Sequence, residues 1–438
     1  MSHPQSSVDS QNDDPNLDPN VLNDVPRSSL RVRLQELAQV FLKLGTIGFG
    51  GPQAHIAMQN DEAVVRRQWM TPEEFTDGLA VCEMLPGPAS TQMGIYIGYV
   101  RAGQIGALVS GFCFIAPAFL IVVAMAWGYF RFQNVPQVDD LFLGISPVVI
   151  AIVLGFCWKL GQRAIRSVPA ALVAIAVFVF TVISPLSVLL QFILAGLLGL
   201  WLYRPKSPGN SNSSSNTGSW ILPLIPALPW FSQGTLVFGA APIEVLALSS
   251  FWGTERIAEY FLPLITFFLR TGAFIFGGGL VIIPLLEFDV VEQLGWLTRE
   301  EFINGVAIGQ LSPGPVVLTA AFVGYKVAGV LGALVSAIAI FLPSFAFIML
   351  ASPLLVRLRQ NLWIKAFLKG VMPAVLGAIA AAIVPLGASA FGQDTLAQSL
   401  VAIAIGMVAL LALLRLKTPT WVLVPAGGLA GLLTGLGM

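Results

Sequence analysis

Charged residues are scarce in this sequence. Of its 438 residues, 23 are Lys or Arg and 23 are Asp or Glu, so charged side chains make up 11% of the chain and cancel to a formal net charge of zero. A soluble globular domain contains about 25% charged residues. This shortage of charged residues excludes the water-facing surface of an ordinary soluble protein. The lack of net positive charge argues against a nucleic-acid partner.

Cysteine and histidine are also rare. The three cysteines (Cys82, Cys113 and Cys157) lie far apart in apolar segments, and the two histidines are His3 and His55. These positions do not have the spacing of metal ligands, and the sequence has no G-x-x-x-x-G-K-[ST] nucleotide-binding loop. We therefore expect no metal and no cofactor. We also expect no enzymatic activity, because no nucleophile is paired with a base.

Long apolar runs are what the sequence has in abundance. Hydrophobic residues make up 56% of the chain, and the mean hydropathy is +0.81. A helix of about 20 apolar residues spans the hydrocarbon core of a bilayer. The candidate runs are Ile105–Phe130, Val138–Trp158, Pro169–Ile183, Ser187–Leu202, Val330–Leu354, Val371–Phe391, Leu396–Leu414 and Trp421–Met438. The predicted fold class is an all-α polytopic membrane protein embedded in a lipid bilayer.

One unit is present twice in the chain. When the sequence is shifted by 227 residues, Trp69–Pro88 aligns with Trp296–Pro315, and ten of the twenty positions are identical. At the same shift Lys43–Gly51 aligns with Arg270–Gly278. Internal self-similarity of this kind indicates two homologous halves. We divide the chain into a disordered tail (1–29), a first repeat (30–203), a flexible cytoplasmic linker (204–219), an extra connecting transmembrane segment (220–255) and a second repeat (256–438).

The distribution of positive charge predicts that the two repeats face opposite sides of the membrane. Cytoplasmic loops carry an excess of Lys and Arg. In the first repeat a basic loop follows Val138–Trp158, whereas in the second it follows Val330–Leu354, which aligns with the preceding run Ile105–Phe130. The basic loop has moved by one crossing. We therefore predict inverted repeats with about 12–13 transmembrane helices, some of them broken, a cytoplasmic N-terminus and an external C-terminus.

Each repeat contains the tripeptide Pro-Gly-Pro after a predicted helix of about thirteen residues. A capping-box pattern, Thr71 with Glu74 and Thr298 with Glu301, predicts where these helices begin. Proline then ends each helix, and the last proline of each tripeptide suits the first position of a new helix. The sequence therefore predicts a helix break in both repeats.

A helix break at membrane depth exposes backbone groups that lipid cannot satisfy, so it must be packed in protein or line a cavity. The new helix begins with free N–H groups and the positive end of its dipole, which favour an anion. The alternative is a packing kink without a ligand. The candidate substrate-binding residues at the two breaks are Pro86, Gly87, Pro88, Ser90, Thr91, Gln92, Pro313, Gly314, Pro315 and Thr319.

A second set of candidates surrounds the Phe-Gly-Gly segments. Lys43 and Arg270 each lie seven residues before a glycine pair, and a basic residue inside an apolar helix indicates function unless it reaches the interface. The substrate-binding candidates here are Lys43, Gly50, Gly51, Arg270, Gly277 and Gly278. The candidates for coupling or gating are Glu62, Glu83, Asp289 and His55, which lies in a predicted loop.

These motifs resemble both halves of the chromate ion transporter family. The resemblance runs from "FGGPQAHIAMQNDEAVVRRQWMTPEEF" to "LPGPASTQMGIYIGY" in the first repeat, and from "FGGGLVIIPLLEFDVVEQLGWLTREEF" to "LSPGPVVLTAAFVGYKVAG" in the second. It implies a two-half, antiparallel transporter that exports chromate from the cytoplasm across the inner membrane and confers chromate resistance. A sulfate or other oxyanion permease is the alternative, and a homodimer stays open.

Overall fold

A computed structural model describes residues 29–184, 186–204, 251–276, 279–351, 361–393 and 395–435. Within these residues the secondary structure is helical, with no strands. The helices are α1 (Leu30–Ile47), α2 (Gly51–Asn60), α3 (Pro72–Met84), α4 (Ala89–Phe132), α5 (Pro136–Ala164), α6 (Val168–Ile183), α7 (Val188–Leu202), α8 (Thr254–Gly272), α9 (Ile282–Leu286), α10 (Arg299–Leu311), α11 (Thr319–Ala351), α12 (Leu362–Phe391), α13 (Leu396–Leu411) and α14 (Thr420–Gly435).

Several of these helices are long and apolar enough to cross a membrane. Among the described residues, length and composition select five: Ala89–Phe132, Pro136–Ala164, Val316–Leu350, Leu362–Phe391 and Leu396–Leu416. Three shorter apolar helices are Val168–Ile183, Val188–Leu202 and Thr420–Gly435. The predicted all-α, multi-pass membrane fold is confirmed. The number of spans stays a prediction, because most of the linker and of the segment 220–255 lies outside the described residues.

The repeat seen in the sequence reappears element by element. α1 to α4 are followed by α5, α6 and α7 in the first repeat, and α8 to α11 are followed by α12, α13 and α14 in the second. π-helical turns occur at matching places, Asp61–Arg66 after α2 and Glu287–Gln293 after α9. The same sequence pattern has therefore produced the same local geometry twice.

The predicted helix starts and breaks are confirmed. α3 and α10 begin in capping boxes formed by Thr71 with Glu74 and by Thr298 with Glu301, and each helix is 13 residues long. Pro88 and Pro315 have extended backbone angles and lie at the N-caps rather than at the first helical positions. The predicted start of each new helix was one residue too early, because each proline is the N-cap and the next residue is the first helical one.

The chain reverses direction at each Pro-Gly-Pro. In the second repeat Gly309 packs against Thr319, and Gly305 packs against Phe322. Farther from the turn, Lys326 Nζ lies 2.7 Å from Glu301 Oε1. Residues at equal or nearly equal distances from Gly314 along the chain are thus neighbours. α10 and the start of α11 form a helical hairpin with Gly314 at its tip.

The first repeat forms the matching hairpin around Gly87. Gly78 on α3 packs against Tyr96 on α4, and Val81 packs with Leu85 and Tyr96. The expectation of a broken helix was therefore incomplete, because the second arm folds back beside the first instead of continuing onward. We name these structures the first hairpin (72–102) and the second hairpin (299–328).

A second reversal follows each hairpin inside α4 and α11. Gly103 and Gly329 have φ of 65° and 59°, a left-handed conformation that glycine adopts at low cost. A side chain at Gly98 would overlap the carbonyl of Gly106, although eight residues of straight helix would separate them by about 12 Å. The chain therefore turns sharply, and α4 consists of α4a (89–102) and α4b (103–132). α11 divides likewise into α11a (319–328) and α11b (329–351).

Helices of each repeat pack on helices of the other repeat. α5 of the first repeat packs on α13 and α14 of the second, and α12 of the second packs on α6 and α7 of the first. Small residues allow these close approaches: Gly144 meets the backbone of Gly427, and Gly370 meets that of Ala195. Each repeat therefore completes the core of the other.

One pair of equivalent helices, α4b and α11b, runs in opposite directions. Ala118 on α4b lies beside Gly314, and Phe130 on the same helix contacts Phe322 and Tyr325. α4b thus runs parallel to α11a. Since α11b folds back on α11a, it runs antiparallel to α4b, its counterpart.

Candidate functional site

The tips of the two hairpins lie in the interior, each against the other repeat. The N–H of Gly87 donates to the carbonyl of Ile275, 2.6 Å away, and a side chain at Gly87 would overlap the Ser344 hydroxyl. The carbonyl of Pro313 lies 3.1 Å from His55 Nε2, and Gly314 packs on Ala118. In the alignment of the two repeats, Ile275 corresponds to Gly48 and Ser344 corresponds to Ala118. The two tips therefore contact equivalent positions of the opposite repeat.

Polar side chains fill the start of α4a behind the first tip. Ser90, Thr91 and Gln92 have at most 1% of their surface exposed. The amide of Gln92 donates from Nε2 to the Pro86 carbonyl at 2.6 Å, which closes the turn. Thr91 and Gln92 use their backbone N–H groups to bond the Pro88 carbonyl. The amides of Ala89 and Ser90 are then the donors at the open end of the helix.

Several buried polar atoms at this tip have no hydrogen-bond partner among the described residues. They are Thr91 Oγ1, Gln92 Oε1, Gln59 Oε1 and Ser344 Oγ. Leaving such an atom unpaired costs about 1–3 kcal/mol. A buried group of unpaired donors and acceptors at a helix N-terminus has the chemistry of a site for a small polar ion.

His55 links the two repeats beside this group. Its Nε2 lies 2.5 Å from the Gly48 carbonyl and 3.1 Å from the Pro313 carbonyl, so this nitrogen carries the proton and donates to both. Its Nδ1 lies 3.5 Å from Ser90 Oγ. The expectation of a loop histidine was wrong: His55 is on α2 and 1% exposed, because Gly50 and Gly51 turn the chain with φ of 117° and 76° directly into that helix.

The second tip has a different chemistry. Pro315 is followed by Val316, Val317 and Leu318 in one turn of 3₁₀-helix, all of them buried. The Thr319 hydroxyl donates to the Val316 carbonyl at 2.9 Å, so the donor predicted for an anion is already used. The backbone of the two hairpins matches, but the described part of the second tip presents mainly apolar side chains.

The predicted cations pair with predicted coupling residues. Lys43 Nζ lies 2.9 Å from Glu62 Oε1, and Arg270 lies 2.6 Å from Asp289 Oδ2. Each acid follows its partner by 19 residues, a spacing common to both repeats that could have revealed the pairs in the sequence. Both carboxylates lie on the π-helical turns. The pairs partly neutralise the charges that the sequence suggested for the substrate.

The remaining candidates are dispersed. Glu83 is exposed on α3 and lies outside the buried tip. Gly50 and Gly51 form the turn between α1 and α2, while Gly277 and Gly278 lie outside the described residues. Two residues of the first tip were not predicted from the sequence: Gln59, whose Nε2 donates to the Ser90 carbonyl at 3.0 Å, and Ser344. Neither residue belongs to a repeated motif, so only the packing identifies them.

A second buried polar contact joins the repeats away from the tips. Asn304 on α10 donates from Nδ2 to the Tyr129 hydroxyl at 3.1 Å, and Ser146 on α5 donates to Asn304 Oδ1 at 3.4 Å. Asn304 is 1% exposed. These residues lie within apolar segments, and no local sequence pattern indicates the contact.

Comparison with known proteins places the chain in a family. The chromate transporter family model matches residues 35–200 and 262–432, one match in each repeat. A chromate transport protein of Cupriavidus metallidurans is 35% identical, with 81% of this chain and 82% of the relative covered. A probable chromate transport protein of Synechococcus elongatus is 34% identical, with 91% and 95% covered.

A more distant relative is an uncharacterized transporter of Methanocaldococcus jannaschii, 28% identical with 78% of this chain and 81% of the relative covered. No solved structure matches the chain. The family match covers most of both repeats, including the Pro-Gly-Pro hairpins, α5 to α7 and α12 to α14. The chain is a multi-pass membrane protein that belongs to the chromate transporter family.

Proposed function

We propose that this protein is a secondary transporter that exports chromate from the cytoplasm across the inner membrane and so confers chromate resistance. The observation that carries the proposal is the first hairpin tip. There a helix N-terminus and two buried, unpaired side-chain hydroxyls, those of Thr91 and Ser344, lie in the interior of a chain whose relatives are named as chromate transport proteins. The proposed transport consists of binding and translocation without covalent chemistry, so in this proposal the protein is not an enzyme.

The proposed substrate site is built by the first hairpin with help from the second repeat. Thr91 Oγ1, Ser344 Oγ and the amides of Ala89 and Ser90 supply donors to the oxygens of a tetrahedral oxyanion. Gly87 is needed because a side chain there would overlap Ser344 Oγ and Gln92 Nε2 and displace them. Donors from both repeats let relative movement of the repeats open or close the site.

We further propose that the repeats are inverted in the membrane and exchange conformations to give alternating access. The antiparallel packing of α4b and α11b supports this proposal. His55 acts as a gate, since its bonds to Gly48 and Pro313 tie the two repeats together at the tips. The pairs Lys43–Glu62 and Arg270–Asp289 then lie toward opposite membrane faces, and the N-terminus is cytoplasmic and the C-terminus external.

The membrane potential favours the proposed direction. Moving one charge through 100 mV is worth about 2.3 kcal/mol. With the cytoplasm negative, an anion is driven outward and its uptake is opposed. Export therefore needs no ATP, and a doubly charged anion gains about 4.6 kcal/mol per 100 mV.

Labelled chromate uptake into everted membrane vesicles tests this function. Vesicles with the protein should accumulate chromate when the lumen is made positive, and vesicles without it should not. Excess sulfate distinguishes the alternative: uptake abolished by sulfate would make the protein a general oxyanion permease. Absence of potential-driven uptake, with the protein shown to be inserted, would refute chromate export.

A further inference from the structure

A group of cations at one end of the helix bundle has no carboxylate partner. Elsewhere among the described residues Lys43, Arg101, Arg270, Arg299 and Lys326 each form an ion pair within the protein. Six exposed cations form no ion pair with a described acid, and we name them the basic face: Lys159, Arg163, Arg166, Arg204, Lys365 and Lys369. Both repeats contribute to this face.

Tyr203 joins the segments that carry these cations. Its hydroxyl lies 3.2 Å from Ser167 Oγ, in the connection between α5 and α6. The ammonium group of Lys369, on α12, lies 5.4 Å from the centre of the Tyr203 ring. Arg166 directly precedes Ser167, and Arg204 directly follows Tyr203. Cations from the first and second repeats therefore lie together around one tyrosine.

Like charges are repeated along two helices of the basic face. Lys159 and Arg163 are four residues apart on α5, and Lys365 and Lys369 are four apart on α12. Side chains at this spacing are neighbours, and like charges there destabilise the helix. The helices α6, α7 and α12 contain no Asp or Glu, and the acids of α5 lie at its opposite end, about 35 Å away along the helix. The described residues thus leave the basic face without a counter-ion.

Exposed tryptophans accompany the cations. Trp158, Trp201 and Trp363 lie within three residues of a cation of the basic face, and all three are exposed. An indole has a polar N–H and an apolar body, so it favours the interface between lipid and water. Farther along α6 and α7 the exposed side chains are apolar, as at Leu172 and Leu198. The tryptophans therefore indicate that the basic face lies at the level of the lipid headgroups.

We propose that the basic face binds the headgroup of an anionic phospholipid. Guanidinium and ammonium groups donate to the phosphate oxygens, and the acyl chains lie on the apolar surface of α6 and α7. A soluble oxyanion would engage the cations alone and would leave the tryptophans and the apolar surface without a role. The proposal does not depend on which substrate the protein transports.

The bound lipid connects the two repeats. Arg163, Arg166 and Arg204 belong to the first repeat, whereas Lys365 and Lys369 belong to the second. α12 packs on α6 and α7 directly behind these side chains. A lipid that binds the folded protein should therefore stabilise this packing and raise the melting temperature as its concentration rises.

Native mass spectrometry and thermal melting of the purified full chain in detergent test the proposal. Phosphatidylglycerol should bind at least about tenfold more tightly than phosphatidylcholine, which has no net charge, and should raise the melting temperature further. Equal binding of the two lipids would overturn the proposal. Inorganic phosphate and chromate are the soluble controls. If either salt, at the same concentration, raises the melting temperature as much as phosphatidylglycerol, the cations bind a free anion and the proposal is wrong.

Two double variants locate the bound lipid. Arg166→Gln with Lys369→Gln removes one cation of the basic face from each repeat and should weaken phosphatidylglycerol binding about tenfold or more. Arg131→Gln with Arg256→Gln removes the same charge from α4b and α8, outside the basic face, and should change binding by no more than about twofold.

Equal losses in the two double variants would mean that the lipid responds to charge anywhere on the protein, and would overturn the proposal. The comparison of the two lipids uses the unmodified chain. It therefore decides the question even if the variant of Arg166 and Lys369 does not fold.

Discussion

The first hairpin turns into Ser90, Thr91 and Gln92, whereas the second turns into Val316, Val317 and Leu318. Both tips reverse at Pro-Gly-Pro, and both rest against matching parts of the other repeat. Among the described residues the first tip presents the unpaired atoms Thr91 Oγ1, Gln92 Oε1 and Ser344 Oγ after its turn, whereas the second hairpin has one such atom, Gln310 Nε2, before its turn. The two copies of the repeat therefore keep the same backbone, while the polar side chains that we propose to bind the substrate occur in the first copy.

The sharp turns after the hairpins should show the largest difference. Gly103 has open space around it, so Gly103→Ala should cost only the backbone strain of an alanine at φ 65° and ψ −153°, about 1–3 kcal/mol. At Gly329 a Cβ would also lie 2.7 Å from Phe251 O and Gly253 N. Overpacking adds about 1–3 kcal/mol. Size-exclusion chromatography and thermal melting of the two variants should therefore show far less folded protein for Gly329→Ala. Equal losses would contradict the described packing.

Removal of one hydroxyl should reduce chromate transport much more at the first tip than at the second. Thr91→Val removes a proposed ligand donor and should reduce chromate transport by about tenfold or more, the value of a hydrogen bond to an anion. Thr319→Val is the matched control, since its hydroxyl bonds locally to Val316, and it should change the rate by no more than about threefold. Initial rates at equal amounts of inserted protein measure both. A larger effect at Thr319 would move the site to the second tip.

The two ion pairs should respond unequally to loss of the cation. Arg67 also contacts Glu62, at 3.2 Å, so Lys43→Gln leaves that carboxylate paired. Asp289 has Arg270 as its only cation partner among the described residues, so Arg270→Gln leaves it unpaired. Both variants should insert, and the Arg270 variant should lose more chromate flux.

The double variant Arg270→Gln with Asp289→Asn tests the cause. It removes the unpaired charge and should restore part of the flux. If it stays as inactive as the single variant, Arg270 acts on the substrate directly rather than by neutralising Asp289.

The smallest expected effect concerns the base of the second hairpin. Lys326 pairs with Glu301 and lies 4.9 Å from the centre of the Phe130 ring, whereas the aligned residue of the first hairpin is Val100. Lys326→Met should destabilise the protein by about 1–2 kcal/mol. Thermal melting should show a lower midpoint for this variant than for Val100→Met. No difference would mean that the pair adds nothing to the hairpin.

Much of the architecture could be predicted because it depends on local patterns. The apolar runs predicted the membrane helices, the capping boxes predicted where α3 and α10 begin, and the prolines predicted where they end. His55 was expected in a loop, whereas Gly50 and Gly51, both with positive φ, turn the chain directly into the helix that carries it. The hairpins were interpreted as broken helices because proline indicates a break but not the direction of the chain after it.

The sequence by itself determined that this protein is a helical membrane protein of two repeats, and that both repeats carry the motifs of one transporter family. These properties follow from composition, periodicity and internal similarity. The tertiary structure alone decided that each tip packs against the other repeat and that Gln59 and Ser344 join the first tip. Such contacts depend on which surfaces pack together, and residues far apart in the chain give no local signal of them.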